Sequence, residues 1–439
     1  MESKKSANQI RRDRDDINSN TSHQISPEVD KSYRYWRIRV MYSMMIGYAT
    51  FYFVRKNISM VTKSITDEFG FSNTEWGVVL STATIAYAIS KFASGILADR
   101  INPKYLMSLG LLASALANFA FGLSNAWSAF LVIWAINSLF QGMGMPPCSR
   151  LLTSWFSQRE IGRAWGVWNA SHQIGGAVIV VVSGYLVAHF GWRSAFFIPA
   201  IVALIVSLWL YNRLTDSPES MGLPPIEEFK PEDSKEKTPE ALPFAVAFRK
   251  HILTNKWVWI VSIANFFVYI VRIGILDWAP KFLEEAKGFD IKQAGIVLST
   301  YELAGIFGAF AAGWLSDTVF KGKRGPVSIL FMLLLVSSVF ILMLVPSGQI
   351  LAMSGIFILI GFFVYGPQML IAVAAADFAS RSSAATAVGL TGLFGYMGAT
   401  VCGIGTGVLV DHYGWSAALY FYLTSAIIGT ALLLSTWHR

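Results

Sequence analysis

Long runs of residues without a charged side chain constrain this chain more than any other feature of its sequence. The runs span 105–149, 164–188, 194–212, 326–376, 382–410 and 413–437. One helix needs about 20 apolar residues to cross a bilayer, so each of the two longest runs must fold back once. Strand-length alternation of apolar and polar residues is absent, and in lipid only helices or closed barrels satisfy the backbone. The pattern therefore predicts an all-α integral membrane protein.

The charged residues are few and are concentrated in two segments. They make up 14% of the chain, against about a quarter in soluble domains, and 29 of the 62 lie within residues 1–37 and 213–256. This composition excludes a soluble enzyme, a secreted disulfide scaffold and a disordered chain. Basic loops on one membrane face explain the net charge of +8 better than a nucleic-acid partner does, and we expect no nucleic acid.

Twelve membrane spans fit the chain. They are placed at 38–62, 75–97, 103–123, 127–148, 163–188, 194–212, 257–280, 292–315, 326–346, 349–374, 384–408 and 414–436. The polar, proline-rich segment 213–256 divides them six and six. We therefore expect a cytoplasmic tail at 1–37, a six-helix half at 38–212, a cytoplasmic linker at 213–256 and a second six-helix half at 257–439.

The basic residues predict which way the chain faces. Lys and Arg concentrate in the N-terminal tail, the linker and the loops on the same side of the membrane. The loops on the opposite side, such as 124–127 and 346–349, carry almost no Lys or Arg. Because basic loops stay on the cytoplasmic side, both termini are predicted to be cytoplasmic. Residues 1–37 contain no apolar stretch and are not a cleavable signal peptide. We expect a multi-pass, monomeric protein of the bacterial inner (plasma) membrane.

Two short motifs recur at nearly the same offset. Gly95-Ile-Leu-Ala-Asp99 recurs as Gly313-Trp-Leu-Ser-Asp317, 218 residues later, and His189-Phe-Gly-Trp-Arg193 recurs as His412-Tyr-Gly-Trp-Ser416, 223 residues later. Six-helix repeats in the same orientation imply two pseudo-symmetric halves related by an axis along the membrane normal. Major facilitator transporters have this organisation, with the substrate site between the halves near the midplane.

The glycine–aspartate motifs are predicted gating elements. Gly95 and Gly313 would allow close approach of helices. Asp99 and Asp317 would accept hydrogen bonds from a neighbouring helix N-terminus, and Asp99 also from Arg100. Such contacts can break and re-form as the halves rock against each other.

Glycine and proline also interrupt two equivalent spans. Gln141-Gly-Met-Gly-Met-Pro-Pro147 lies in the fourth span and Tyr365-Gly-Pro-Gln368 in the tenth. We expect these residues to kink or thin the helices beside the cavity.

Two arginines occupy equivalent places in the halves. Arg55 follows an uncharged run at 40–54, and Arg272 follows another at 257–271, 217 residues later. A cation within the bilayer costs about 2.5–3.5 kcal/mol on insertion scales and is a functional hypothesis by default. The alternative is that each arginine reaches an interface or pairs structurally, which would make the matched offset a coincidence.

Further ionisable residues fall inside the predicted spans. They are Lys56, Lys91, His172, Asp277 and Glu302. The four cations, with the two arginines included, exceed the two carboxylates by two, which suits a phosphate monoester of charge about −1.5 to −2. Guanidinium groups also match phosphate oxygens two at a time.

Each of these residues has a structural alternative. Lys91 could reach an interface, and His172 could be satisfied within its helix. Asp277 and Glu302 fit counter-ions for Lys56 or Lys91 better than substrate ligands.

Signatures of enzyme chemistry are missing from the sequence. There is no Walker loop, no His-Glu-x-x-His and no nucleophile elbow. We therefore expect no enzyme, no cofactor and no metal, and uptake driven by a gradient. Cys148 and Cys402 lie in apolar runs and are expected to be core thiols.

The chain resembles the organophosphate:phosphate antiporter family of the major facilitator superfamily, from about Tyr33 to Leu434. The resemblance rests on Tyr52-Phe-Val-Arg55-Lys56, Ser90-Lys91-Phe-Ala-Ser-Gly95, Trp168-Asn-Ala-Ser-His172, Leu276-Asp-Trp-Ala-Pro280, Tyr301-Glu302-Leu-Ala-Gly305 and Tyr365-Gly-Pro-Gln368. Within the family, it is most similar to the bacterial hexose-phosphate uptake branch.

The resemblance implies a role for each residue. Arg55 and Arg272 would bind the phosphate, assisted by Lys91 and His172. Lys56, with Asp277 and Glu302, would form the counter-ion network beside the substrate. Inorganic phosphate would be exchanged for a sugar phosphate, with glucose 6-phosphate as the expected organic substrate.

A second function remains open at this point. Members of this branch act as membrane sensors of external hexose phosphate that signal to a histidine kinase, so a sensor kinase is a candidate partner. The same site would serve either role, because ligand-stabilised closure can move cargo or be read by a partner.

Overall fold

The computed structural model describes residues 26–98, 100–157, 159–230, 252, 254–379 and 383–438. The α-helices in this part of the chain are α1 (Pro27–Lys56), α2 (Thr62–Phe69), α3 (Asn73–Ala98), α4 (Pro103–Gly122), α5 (Trp127–Gln141), α6 (Met145–Trp155), α7 (Ile161–Phe190), α8 (Ser194–Arg213), α9 (Ile226–Phe229), α10 (Lys256–Lys287), α11 (Ile291–Thr318), α12 (Arg324–Leu344), α13 (Ile350–Phe378), α14 (Ala384–Tyr413) and α15 (Trp415–Leu434). No strand occurs among the described residues. The predicted all-α class is confirmed.

Eleven of the described helical segments are long and apolar enough to cross a membrane, with α5 and α6 counted as one. The remaining predicted span is the first one, at 38–62. It corresponds to α1, whose first three turns carry charged residues and whose apolar part follows from Val40. The chain is therefore a multi-pass membrane protein.

The helix that contains the first predicted span, 38–62, has different ends from that span. It begins at Pro27, after the N-cap Ser26, and ends at Lys56. Serine as N-cap and proline in the first turn start a helix well before the apolar run begins. Asn57–Val61 then forms a 3-10 helix.

The fourth span is interrupted where glycine and proline predicted it. It consists of α5 and α6, separated by Gly142-Met143-Gly144, with Pro146 in the first turn of α6. In the tenth span, Pro367 lies inside the continuous helix α13.

The helices pack in two groups that meet along two helix pairs. In the first group α1 packs on α7 and α8, and α3 and α4 pack on α5; in the second group α10 packs on α14 and α15, and α11 on α13. The pairs α3–α14 and α7–α11 join the groups. The division into two halves linked by 213–256 stays a prediction, and parts of it, residues 1–25, 231–251 and 253, lie outside the described residues.

The two groups are tightly closed at one end of the bundle, here called the distal end. It carries the segment 57–72, which includes α2, and the loops at 123–126, 191–193, 288–290, 345–349 and 414. A Cβ at Gly77 of α3 would clash with the carbonyl oxygen of Gly403 in α14. The Ser81 hydroxyl donates to the carbonyl of Thr400 at 2.6 Å and accepts from the amide of Ile404 at 3.0 Å. The backbones of α3 and α14 are therefore in direct contact near the distal end.

Two charged residues that sequence reasoning missed complete this closure. The Asp411 carboxylate accepts from the backbone amides of Asn73 (3.0 Å) and Thr74 (2.7 Å), at the start of α3. Lys281, which is only 3% exposed, donates to Thr66 Oγ1 at 2.8 Å and to Asn73 Oδ1 at 2.6 Å. Because their partners come from the other helix group, the sequence alone gave no signal for these contacts.

The first part of the linker packs against the first helix group. Phe229 of α9 stacks on Tyr33 of α1 at 3.8 Å between ring centroids, and the Tyr33 hydroxyl donates to the carbonyl of Pro224. The Glu160 carboxylate accepts from Arg37 of α1 and from Lys230 at 2.6 Å. One carboxylate thus ties α1, the α6–α7 loop and the linker together.

We predict that the Glu160 contacts make stability sensitive to acid. Partial burial raises the pKa of Glu160, but the hydrogen bonds from Lys230 and Arg37 outweigh it and lower the pKa from an ordinary 4.5 to about 2. A lowered carboxyl pKa adds stability above the unfolded value that is lost as the pH falls toward the folded one. Between pH 5 and pH 2.5 the melting temperature should therefore fall further in the wild type than in Glu160→Gln, measured in detergent. Equal pH profiles for the two proteins would contradict this.

Candidate functional site

Arg55 lies at the distal part of α1, with its guanidinium group over aromatic rings. Its Cζ is 3.9 Å from the centroid of the Tyr87 ring in α3 and 5.5 Å from that of Tyr52 in α1. No carboxylate of the described residues forms an ion pair with it. Rings hold such a cation by cation–π attraction and leave its planar N–H groups available for an anion.

Arg272 of α10 has the same kind of surroundings. It is 9% exposed, and its Cζ lies 4.9 Å from the ring centroid of Tyr365 and 5.5 Å from that of Tyr269. Its Nε has no hydrogen-bond partner in the described part of the chain. A buried guanidinium with an unused donor is costly unless a ligand supplies an acceptor.

The tyrosines around these cations were not predicted as site residues, although the sequence held a signal. Tyr52 stands three residues before Arg55, and Tyr269 stands three residues before Arg272. Residues three apart lie on one face of a helix. Each arginine is therefore in contact with a tyrosine of its own helix at the same distance of 5.5 Å.

Lys91 of α3 reaches toward α14. Its Nζ donates to the hydroxyl of Tyr396 at 3.1 Å. Tyr396 in turn has its ring centroid 5.5 Å from that of Tyr87 and 5.8 Å from that of Tyr269. The rings that flank Arg55 and Arg272 are thus joined through Tyr396, and Lys91 lies against that junction.

His172 of α7 lies on the first-group side of the same cluster. Its ring centroid is 5.4 Å from that of Tyr52 and 6.4 Å from that of Tyr48, and the side chain is buried. Tyr48 stacks on Trp168 at 4.7 Å. The structure therefore brings His172 near Arg55 through the shared neighbour Tyr52.

Lys56 and Asp277 form an ion pair between α1 and α10, with 2.8 Å between Nζ and Oδ1. Both side chains are largely buried. Together with Arg55, Tyr87 and Tyr396 they line a cavity of about 60 Å³. Since liquid water occupies about 30 Å³ per molecule, this conformation has room for only a small anion or a few waters.

The contacts of Glu302 differ from the expectation that its carboxylate neutralises Lys56 or Lys91. This carboxylate in α11 is 1% exposed and accepts a hydrogen bond from the hydroxyl of Tyr365 at 2.6 Å. A Cβ at Gly176 of α7 would lie 2.9 Å from its Oε1, so glycine makes room for it between the groups. Because Tyr365 also lies under Arg272, Glu302 belongs to the second cation's surroundings.

The charge count of the cluster follows from these contacts. One of the four cations is neutralised by a carboxylate at short range, and the other carboxylate is hydrogen-bonded to a tyrosine. With every group ionised, two positive charges remain uncompensated within the cluster. Such a site attracts a small dianion.

The predicted gating residues are only partly placed by the structure. Asp317 accepts from the guanidinium group of Arg324, the first residue of α12. Gly313 is near Met369, with 3.3 Å from a would-be Cβ to the methyl carbon, whereas no described atom lies within 4 Å of one at Gly95. The close helix approach expected at Gly95 is therefore absent in this conformation.

Asp99 lies outside the described residues, and Arg100 is exposed at the start of the loop before α4. The gating role of both motifs stays a prediction.

Among the described residues, no three His, Cys, Asp or Glu side chains come together as a metal site. Cys148 and Cys402 are buried free thiols, and each lies 3.3 Å from a backbone carbonyl, those of Gly144 and Ile270. They match the expected core role.

The chain matches a protein-family model, several relatives by sequence and a solved structure by fold. The family model of the Major Facilitator Superfamily matches residues 44–401. A "Probable hexose phosphate transport protein" of Chlamydia muridarum (strain MoPn / Nigg) is 42% identical, over 93% of both chains. The "Glycerol-3-phosphate transporter" of Bacillus subtilis (strain 168) is 39% identical over 94% of both chains, and the "Membrane sensor protein UhpC" of Escherichia coli (strain K12) is 38% identical over 93% of both.

A solved structure shares the fold at low sequence identity. It is a bacterial homologue of the human lysosomal transporter Spinster, in an inward-facing and unoccupied conformation. The TM-score is 0.74 at 19% identity, and the match covers 92% of this chain and 96% of the other.

Proposed function

The chain belongs to the Major Facilitator Superfamily, and within it to the family of the hexose phosphate and glycerol-3-phosphate transport relatives, and we propose that it exchanges a sugar phosphate for inorganic phosphate by alternating access. The observation that carries the proposal is the pair of guanidinium groups, Arg55 and Arg272, without ion-paired carboxylates in the described chain. Glucose 6-phosphate is the proposed organic substrate.

The chemistry of the cluster supports a phosphorylated cargo. A phosphate monoester carries about −1.5 to −2 charges near neutral pH, which balances the two uncompensated cations. Each guanidinium can donate two parallel hydrogen bonds to phosphate oxygens. Lys91 and His172 border the same ring cluster and would assist, while the Lys56–Asp277 pair and Glu302 would hold the site together when it is empty.

Exchange follows from the electrostatics of the empty site. Two cations from different helix groups repel each other when no anion lies between them. Phosphate would draw the groups together and lower the barrier to switching only in the loaded state. This makes return of an empty carrier slow and couples entry of one phosphorylated species to exit of another.

Topology is part of the proposal. With the termini in the cytoplasm of a bacterium, the closed distal end faces outward, and the structure represents a conformation sealed from the outside. We propose a monomer in the inner membrane with the gating motifs at the cytoplasmic face. No cofactor or catalytic residue enters this scheme.

The direct test is reconstitution. The purified protein is placed in liposomes loaded with phosphate, and uptake of labelled glucose 6-phosphate is measured with and without internal phosphate. Uptake that requires internal phosphate supports exchange. Uptake at the same rate with and without internal phosphate contradicts antiport. Absence of both binding and flux in folded protein would overturn the phosphate assignment altogether.

A sensor is the second candidate, favoured by the 38% identity to a relative named as a membrane sensor. The site would be the same, and a kinase would read the ligand-stabilised conformation. Tight binding of glucose 6-phosphate without flux in the liposome assay would favour the sensor over the transporter.

We predict that widening the distal contact traps the outward-open state. In Gly77→Val the added carbons clash with the backbone of α14 and disfavour distal closure. A cysteine placed at Thr84, which lines the cavity, should then react several-fold faster with a membrane-impermeant thiol reagent outside intact cells, and exchange should slow. Gly389→Val is the matched control, because no described atom lies within 4 Å of a Cβ there. Unchanged labelling in the Gly77 variant would contradict the closed distal end.

A further inference from the structure

A groove beside the N-terminal part of α1 lies far from Arg55 and Arg272 and has no part in the exchange scheme. It measures about 680 Å³ and is lined in part by Arg34, Arg37 and Lys230 at one end and by Ile38, Met41 and Met45 along its length. We call it the basic groove. We propose that the basic groove binds one anionic phospholipid, with the phosphate headgroup on the three cations and an acyl chain along the apolar stripe.

The spacing of the lining residues suits a lipid. Positions 34, 37, 38, 41 and 45 follow the three- and four-residue steps of one helix face. The rise of 1.5 Å per residue makes the distance from Arg34 to Met45 about 16 Å. The apolar stripe from Ile38 to Met45 covers about 10 Å of it, which lies within the depth of one leaflet of the hydrocarbon core, about 15 Å. A soluble phosphate would contact only the basic end of the groove. A polar peptide would leave the apolar side chains of Ile38, Met41 and Met45 without apolar contacts.

The depth of the groove in the membrane agrees with this orientation. The uncharged part of α1 begins at Val40, so Met41 and Met45 belong to the hydrocarbon region. Arg34 and Arg37 precede it and stand at headgroup level. Arginine and lysine at such positions attract anionic lipids.

Three cations, Arg34, Arg37 and Lys230, line the groove beside one carboxylate, that of Asp30. Glu160 alone serves both Arg37 and Lys230, and it also accepts from Ser157. One carboxylate cannot satisfy the five donors of an arginine and the three of a lysine. Arg34 is 78% exposed and only loosely paired with Asp30, at 4.0 Å. A headgroup phosphate supplies the missing acceptors.

The test uses the full chain in detergent and native mass spectrometry, with phosphatidylglycerol, phosphatidylcholine or inorganic phosphate added. We expect phosphatidylglycerol to bind in preference to phosphatidylcholine. Loss of one headgroup cation should weaken it about 5-fold, and Arg34→Gln with Lys230→Gln about 25-fold. Lys323→Gln, which removes an exposed charge at the same end of the bundle, should leave the affinity unchanged.

A photoreactive phosphatidylglycerol then locates the site. Labelling concentrated on the α1 peptide that contains Met41 and Met45 supports the proposal. Equal binding of the two lipids, full affinity in the double variant, or labelling that avoids α1 because residues 1–25 or 231–251 fill the groove would each overturn it. Phosphate binding that depends on Arg34 would show a soluble-anion site instead. None of these outcomes depends on whether the protein exchanges phosphate.

Discussion

Replacing Arg55 or Arg272 by lysine is expected to lower phosphate exchange about 10- to 150-fold while the protein stays folded. Lysine keeps the charge, but its compact ammonium group lacks the planar pair of N–H donors of a guanidinium group. One of two parallel hydrogen bonds to the phosphate is therefore lost. A hydrogen bond to a charged group is worth about 1.5–3 kcal/mol, which gives the stated range. The measurement is the initial rate of labelled phosphate exchange in phosphate-loaded liposomes.

A matched control separates the site from a general effect of the substitution. Arg163 is exposed in the first turn of α7, away from the ring cluster. Arg163→Lys should exchange at the wild-type rate. If both site variants also retained that rate, the two-arginine clamp would be wrong, even if the protein moved sugar phosphates by another route.

Breaking the Lys56–Asp277 pair is expected to cost about 3 kcal/mol of stability. Both side chains are largely buried, so removing one leaves the other as an uncompensated charge in a medium of low polarity. Lys56→Met and Asp277→Asn should each lower the unfolding free energy, measured by denaturant titration of the purified protein in mixed micelles.

The double variant distinguishes the pair from two unrelated contributions. With Lys56→Met and Asp277→Asn together, no charge is left unpaired, and most of the lost stability should return. Losses that simply add would mean that the two residues do not interact. Lys63→Met is a suitable control, because Lys63 is more exposed and pairs with Asp67 within its own helix turn.

Sequence reasoning identified the ionisable residues that the structure brings together in the membrane. Arg55 and Arg272 were identifiable because a cation in an apolar run is costly and because their offset matches that of the repeated motifs. The pairing of charges was not identifiable in the same way. Either carboxylate fitted either lysine, and only the folded chain assigns Asp277 to Lys56 and gives Glu302 the hydroxyl of Tyr365.

The tyrosines around the two arginines were not identified as site residues from the sequence. Tyr52 and Tyr269 repeat at the same step before their arginines, yet aromatic residues are so common here, 14% of the chain, that composition hid the pattern. Tyr87 and Tyr396 come from α3 and α14, and no local spacing links them to the cations. Their contact depends on how the two helices are rotated against each other.

The sequence by itself determined that this chain is a bundle of membrane-spanning helices with a repeated arrangement and cations within the spans. It did so because lipid penalises both unpaired backbone groups and charges, and each penalty leaves a pattern along the chain. The tertiary structure alone decided the partners: Lys56 meets a carboxylate 221 positions away, and Asp411 caps a helix that begins 338 positions earlier. Such contacts depend on helix packing, in which residues distant in sequence approach to within hydrogen-bonding distance.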